Sequence, residues 1–118
     1  MRSTGKHFED LALAHAQGDG LRLVTRNFNC RYGELDLVMK DRDIIVFLEV
    51  RYRRSQSHGG ALDSVSATKR ERLTKAASLF LQANPNLARN TCRFDVIAIS
   101  GTQESPSIDW QRNAFDTA

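Results

Sequence analysis

Apolar residues recur along this chain at two spacings, and the switch between them marks out its elements. Within residues 4–17, Phe8, Leu11, Ala12 and Ala16 fall on one face of a helix. Gly18 and Gly20 follow, where glycine commonly stands beyond a helix C-terminus. Residues 21–28 predict a first strand, with Leu21, Leu23 and Thr25 on one face, and residues 27–32 a polar connection. Residues 33–38 and 44–51 predict a hairpin around the turn chemistry of Lys40, Asp41, Arg42 and Asp43. Residues 52–60 are polar and basic, end in Gly59 and Gly60, and read as a loop. Ser66 is a candidate N-cap for a second helix from Ala67 to about Asn84, with Leu73, Ala76, Ala77 and Phe80 turned inward. Lys69 extends that inward stripe at the first turn, and Asn84-Pro85-Asn86 ends the helix. Residues 92–100 predict a fourth strand, residues 108–110 a short edge strand and residues 113–115 a small terminal patch. Helix, three strands, helix, strand is the order of an α/β domain whose mixed sheet is flanked by helices.

The hairpin register can be counted. With Arg42-Asp43 as the loop tip, Asp41 faces Ile44 and Asp36 faces Glu49. Directly opposed residues have Cβ atoms about 4.5–5.5 Å apart. A loop shifted by one residue makes the acids diagonal neighbours that still converge. Both acids sit in apolar runs, where a carboxylate is costly unless it is paired or bound to a metal. Two carboxylates so placed can hold one hard divalent cation such as Mg²⁺. Period-two geometry adds Arg51 to the face of Glu49. The other reading is structural: Glu49 paired with Arg51 or Arg93, and Asp36 with a neighbouring basic chain. The residues alone leave both readings open.

Other charged residues have simpler readings. Glu9 reads as a surface acid near the border of the buried helix face. Glu34 flanks a glycine turn and is expected to bond a backbone amide or an arginine. Asp95 is expected to pair with Arg51 or Arg53. Arg51, Tyr52, Arg53 and Arg54, with Lys69, Arg70 and Arg72 beyond, form either a solvated charged face or a surface that tracks phosphates. His7, His15 and His58 show no pairing pattern, and Trp110 reads as edge packing. No P-loop, nucleophile elbow, CxxC pair or dinucleotide fingerprint is present, which removes most other enzyme classes.

Composition narrows the setting. A chain of 118 residues suffices for one domain, residues 1–118, with one modest core. No apolar run approaches the roughly 18–20 residues that span a bilayer, and the N-terminal residues lack the apolar stretch of a secretory signal. Cys30 and Cys92 lack metal-ligand spacing and suit a reducing cytoplasm, the expected location. A formal charge of +3 permits nucleic-acid contact without demanding it.

The order of elements and the residues quoted resemble the restriction-endonuclease-like, or PD-(D/E)XK, superfamily. Within it the chain resembles the YraN family, similar to archaeal Holliday junction resolvases. The resemblance covers nearly the whole chain: Gly5 and Glu9; Arg26-Asn27; Gly33-Glu34-Leu35-Asp36-Leu37; Val46 to Arg53; Gly59-Gly60-Ala61; Lys69 with Leu73 and Ala76; Arg93 to Val96; and Asn113-Ala114-Phe115. It implies an αβββαβ core and a metal-dependent endonuclease that hydrolyses phosphodiester bonds in DNA, including branched or damaged DNA. The alternative is a non-catalytic nucleic-acid-binding module that keeps the nuclease fold. It also implies Mg²⁺ or Mn²⁺, a DNA partner rather than a membrane, and a homodimer able to cut two strands symmetrically. Asp36 and Glu49 fall on the superfamily's metal-binding acids, the Val50 carbonyl on a further metal oxygen, and Glu9 on the helical glutamate of resolvase-like members. Arg51 falls where the motif has lysine. An arginine stays protonated and cannot act as a general base, although it can hold a phosphate oxygen. Lys69 could supply the missing ammonium. Arg51, Arg53, Arg54, Lys69 and Arg72 are the expected DNA contacts.

Overall fold

The computed structural model describes residues 4–53, 65–102 and 104–115. Among these, helix α1 (Thr4–Gly18) is followed by strands β1 (Arg22–Cys30), β2 (Gly33–Asp41) and β3 (Ile44–Tyr52). Helix α2 (Ala67–Ala83) and strands β4 (Cys92–Gly101) and β5 (Pro106–Phe115) complete the chain. The strands form one sheet in the order β1-β2-β3-β4-β5. The β3–β4 pairing is parallel and the other three are antiparallel. A parallel pair needs a long crossover, and α2 lies within it. The result is an α/β fold with a mixed sheet between two helices, consistent with the restriction-endonuclease-like core that the sequence predicts.

Each helix covers one face. On one side Phe8, Ala12 and Ala16 of α1 pack on Leu37, Met39, Val46, Leu48, Ile97 and Ile99. On the other, Leu73, Ala76, Ala77 and Phe80 of α2 pack on Val38, Ile45, Phe47, Phe94, Val96 and Ala98. Covered on both faces, β3 is apolar almost throughout, and Glu49 and Arg51 are its charged residues. Ser66 caps α2 as expected, its hydroxyl accepting from Lys69 N–H at 3.1 Å. The β2–β3 ladder runs from Asp41↔Ile44 to Leu37↔Leu48, the predicted register, around Arg42-Asp43. Arg42 has φ 56°, as a tight hairpin turn requires.

The strand that precedes the hairpin departs from expectation. β1 continues through residues 27–30, expected as a connection, and pairs with β2 as far as Cys30↔Gly33. Leu21, before the strand begins, is buried whereas Leu23 is exposed, and the pairing shifts between Leu23 and Thr25. The bulge breaks the simple alternation that grouped Leu21, Leu23 and Thr25. β5 is also longer than the two fragments expected, because one side of this edge strand faces water and its polar residues mask the alternation. Asp95 pairs neither with Arg51 nor with Arg53. It is fully buried and accepts from Arg93 Nε at 3.0 Å, Trp110 Nε1 at 3.0 Å and Asn113 N–H at 2.9 Å. Arg93, two residues earlier on the same strand, reaches the same side of the pleat, whereas Arg51 is drawn to Glu49.

The feature that positions the acids is a turnover in β2. Leu37 and Met39 pack on the α1 side and Val38 on the α2 side, as a pleat requires. By the same alternation Leu35 belongs with Leu37, yet it packs on the α2 side. The strand therefore changes sides at Asp36. β1 turns over with it: Arg26 bonds α1 through Glu9, whereas Phe28 packs on the α2 side. Between them Asn27 has φ 58°. Asn27 and Asp36 fall at the same step of the β1–β2 register, between Arg26↔Leu37 and Phe28↔Leu35.

Candidate functional site

The turnover of β2 and the Val50 amide bring Asp36 to the sheet opening. The turnover takes its side chain off either packed face, and the β2–β3 ladder stops one step earlier, at Leu37↔Leu48. A side chain replaces the next backbone bond: Val50 N–H donates to Asp36 Oδ2 at 2.9 Å. Beyond that point a cleft of about 380 Å³ opens between α1 and the hairpin. Lys6, Phe8, Glu9, Asn27, Glu34, Asp36, Val50 and Tyr52 line it.

The carboxylates converge at this opening. Glu9, Glu34 and Asp36 each offer an oxygen, and these oxygens lie within 4.8 Å of one another. The Glu49 carboxyl on the neighbouring strand is close enough to bear on the charge of Asp36. Burial first, and Glu49 second, push Asp36 up from 3.8 to about 7, while the Val50 N–H acts the other way. Burial also raises Glu34, followed by the charges of Asp36 and Glu9. Four acids raise one another's cost wherever no cation balances them.

Glu49 is 5% exposed. Its Oε2 meets Arg51 Nη2 at 3.2 Å and Lys69 Nζ at 3.5 Å. Its Oε1 is buried and has no hydrogen-bond donor among the described residues. A buried carboxylate oxygen left without a donor is costly. The oxygens of Glu9, Glu34 and Asp36 fit a hard divalent cation, and the unsatisfied Glu49 Oε1 stands on the strand beside Asp36.

Several expectations need correction. Asp36, Glu49 and Arg51 do not share one face. Glu49 and Arg51 turn toward α2, which carries Lys69, whereas Asp36 sits at the turnover between faces. Among the described residues, the Val50 amide and Glu49 stand beside Asp36 where a basic side chain was expected. Glu9 is no surface acid: it is 9% exposed. Its Oε1 accepts from Arg26 Nη2 at 2.7 Å and its Oε2 from Asn27 Nδ2 at 3.1 Å. Lys69 does bring its ammonium to the hairpin, through Glu49. Arg53 lies at the end of β3, its N–H donating to Ile99 O at 2.8 Å. Arg72 is exposed on α2, and Arg54 lies outside the described residues, as do His58, Gly59 and Gly60.

Glu34 is the site residue that the sequence reading missed. Its neighbours are Asp36, Glu9 and the Asn27 amide rather than a backbone amide or an arginine. A signal existed: residues 34 and 36 of one strand are a single pleat repeat apart.

A family model described as "Uncharacterised protein family UPF0102" matches residues 8–99, a span that includes all four acids and Lys69. A UPF0102 protein of Stutzerimonas stutzeri (strain A1501) is 53% identical over 116 residues, covering 98% of this chain and 97% of that protein. Another, from Ectopseudomonas mendocina (strain ymp), is 54% identical over 112 residues, 95% of this chain and 93% of that protein. A third, from Pseudomonas aeruginosa (strain LESB58), is 50% identical over 117 residues, 98% of this chain and 94% of that protein.

Proposed function

The chain belongs to the UPF0102 family, the YraN family, and from the geometry of its acidic cleft we propose that it is a metal-dependent endonuclease hydrolysing phosphodiester bonds in DNA. One observation carries this reading: Glu9, Glu34 and Asp36 bring oxygens within 4.8 Å of one another, and beside Asp36 the buried Glu49 has an Oε1 that lacks a donor among the described residues. Asp36 and Glu49 would hold a magnesium or manganese ion, with Glu9 and Glu34 completing the acidic set. When bound, that ion supplies water activation and neutralises charge on the phosphate.

The chain's own residues have distinct tasks. Arg26 and Asn27 fix the Glu9 carboxylate, and the Val50 amide fixes that of Asp36. Arg51 remains a cation throughout and takes a non-bridging phosphate oxygen. Lys69 delivers a second positive charge from the first turn of α2. In the absence of DNA both cations rest on Glu49 Oε2, so phosphate binding exchanges one anionic partner for another. Arg53 and Arg72 extend the basic surface along the DNA backbone. Symmetric cutting of a branched junction takes two copies related by a two-fold axis, so the proposal includes a homodimer.

One observation favours a second reading. Arg51 and Lys69 already neutralise Glu49, as they would in a nucleic-acid-binding module without hydrolytic activity. Calorimetric titration with Mg²⁺ or Mn²⁺, followed by cleavage assays on plasmid and four-way-junction DNA, separates the two. The endonuclease binds the ion and cuts, and Asp36→Asn loses both. DNA binding with neither metal heat nor cutting leaves the module.

A further inference from the structure

The cleft has an aromatic wall to which hydrolysis assigns no task. Tyr52, the last residue of β3, is 42% exposed and is the aromatic among the exposed large hydrophobic residues described. Its ring stacks on Phe8 with centroids 4.2 Å apart and planes 14° from parallel. Phe8 is buried between α1, which carries it, and the sheet, and the Tyr52 hydroxyl donates to Gly101 O at 3.5 Å. The ring is thus held flat from behind and tied at its tip, although it reaches solvent. Keeping an aromatic ring exposed forgoes the burial that other aromatic side chains of the fold achieve.

Tyr52 and Phe8 line the same cavity as Glu9, Glu34 and Asp36. Tyr52 lies two residues beyond Val50, so its side chain leaves the strand on the same side, about 6.6 Å further along. A phosphate held at the acids would bring its own nucleoside toward this ring. In a paired duplex, bases present their edges in the grooves and keep their faces stacked on neighbours. A flat ring recessed in a cleft can meet a base face only when that base is out of the stack. The acidic floor disfavours a second anion there, whereas a neutral base with a π face suits the wall.

We propose that Tyr52, backed by Phe8, is a stacking platform for an unpaired base of the DNA strand whose phosphate lies at the acids. The substrate is then DNA with a single-stranded or frayed segment at the cut rather than continuous duplex. The position of the phosphate rests on the endonuclease reading, but the stacking needs neither metal nor cleavage.

The test is fluorescence titration of the full chain in EDTA with a 2-aminopurine oligonucleotide, single-stranded and as duplex. Stacking on one aromatic ring is expected to favour the single strand by about 5-fold or more, with quenching of the probe. Tyr52→Phe keeps the preference and the quenching. Tyr52→Leu, which still covers Phe8, loses both with its melting temperature retained. The inference is overturned if a folded Tyr52→Leu chain keeps the wild-type ratio, or if the wild type binds both forms equally or neither. Failure of the endonuclease reading looks different: the single-strand preference persists and no Mg²⁺-dependent cut is made.

Discussion

At the scale of single residues, Asp36 concentrates the chemistry. Its carboxyl group titrates near 3.8 in an unfolded chain and is held up to about 7 in the fold. The folded chain therefore binds more protons than the unfolded chain between these values. Stability contributed by the protonated acid is complete below about pH 4 and is lost as pH rises toward 7. In EDTA, Asp36→Asn is expected to match the wild type near pH 4 and exceed it at pH 8, by on the order of 1–3 kcal/mol. The amide can still accept from the Val50 N–H. At pH 8, Mn²⁺ should raise the wild-type melting temperature and leave that of the variant unmoved. Thermal denaturation across pH, with and without the ion, is the measurement. Parallel curves for the two proteins would show that Asp36 carries no such burden.

At the scale of elements, the paired turnover of β1 and β2 gathers the acids. Asn27 contributes backbone and side chain, with φ 58° and an amide that holds Glu9. The two contributions separate by substitution. Asn27→Gly tolerates the left-handed conformation and is expected to fold with nearly wild-type stability. Asn27→Ala is expected to lose about 1–2 kcal/mol from the strained backbone. Both should weaken Mn²⁺ binding, because Glu9 loses a donor. Chemical denaturation and calorimetry read the two effects independently. An Asn27→Gly chain that binds the ion as tightly as the wild type would remove Asn27 from the site.

The hairpin was legible in the sequence because its information is local: a tight turn, two apolar runs and an exact count between Asp36 and Glu49. Ser66 and the inward stripe of α2 were legible for the same reason. The turnover was not. Period-two reasoning assumes an unbroken pleat, and Asn27, a residue at home in turns, reads as the end of a strand when it is a twist within one. Glu34 was lost with it, since its partners Glu9 and Asn27 belong to other elements. The partner of Asp95 was missed although Arg93 stands two residues away on the same strand face, because the sequence reading favours Arg51 and Arg53 and Arg51 is in fact claimed by Glu49.

At the scale of the whole molecule, basic residues outnumber acidic ones only modestly, 17 Lys and Arg against 14 Asp and Glu. On the proposed reading, DNA affinity comes from cations gathered near the cleft, not from net charge. Lys6 lines the cavity, and Lys69 and Arg51 stand at Glu49. If Lys69 contacts a phosphate, Lys69→Ala should reduce the slope of log affinity against log salt by about 0.9. Binding measured over a range of KCl concentrations gives that slope, and an unchanged slope would leave Lys69 as a structural partner of Glu49. Among the described residues, no helix is long and apolar enough to cross a membrane.

A ribbon that passes from one side of the sheet to the other also ties its crossing residue into both hydrophobic layers, as a stitch does. Leu35 is gripped by the layer under α2 and Leu37 by the layer under α1, with Asp36 suspended between them. The carboxylate thereby inherits its rigidity from both cores at once. Damage deep in either layer, at a residue that never touches an acid, would reach the chemistry through that one stitch.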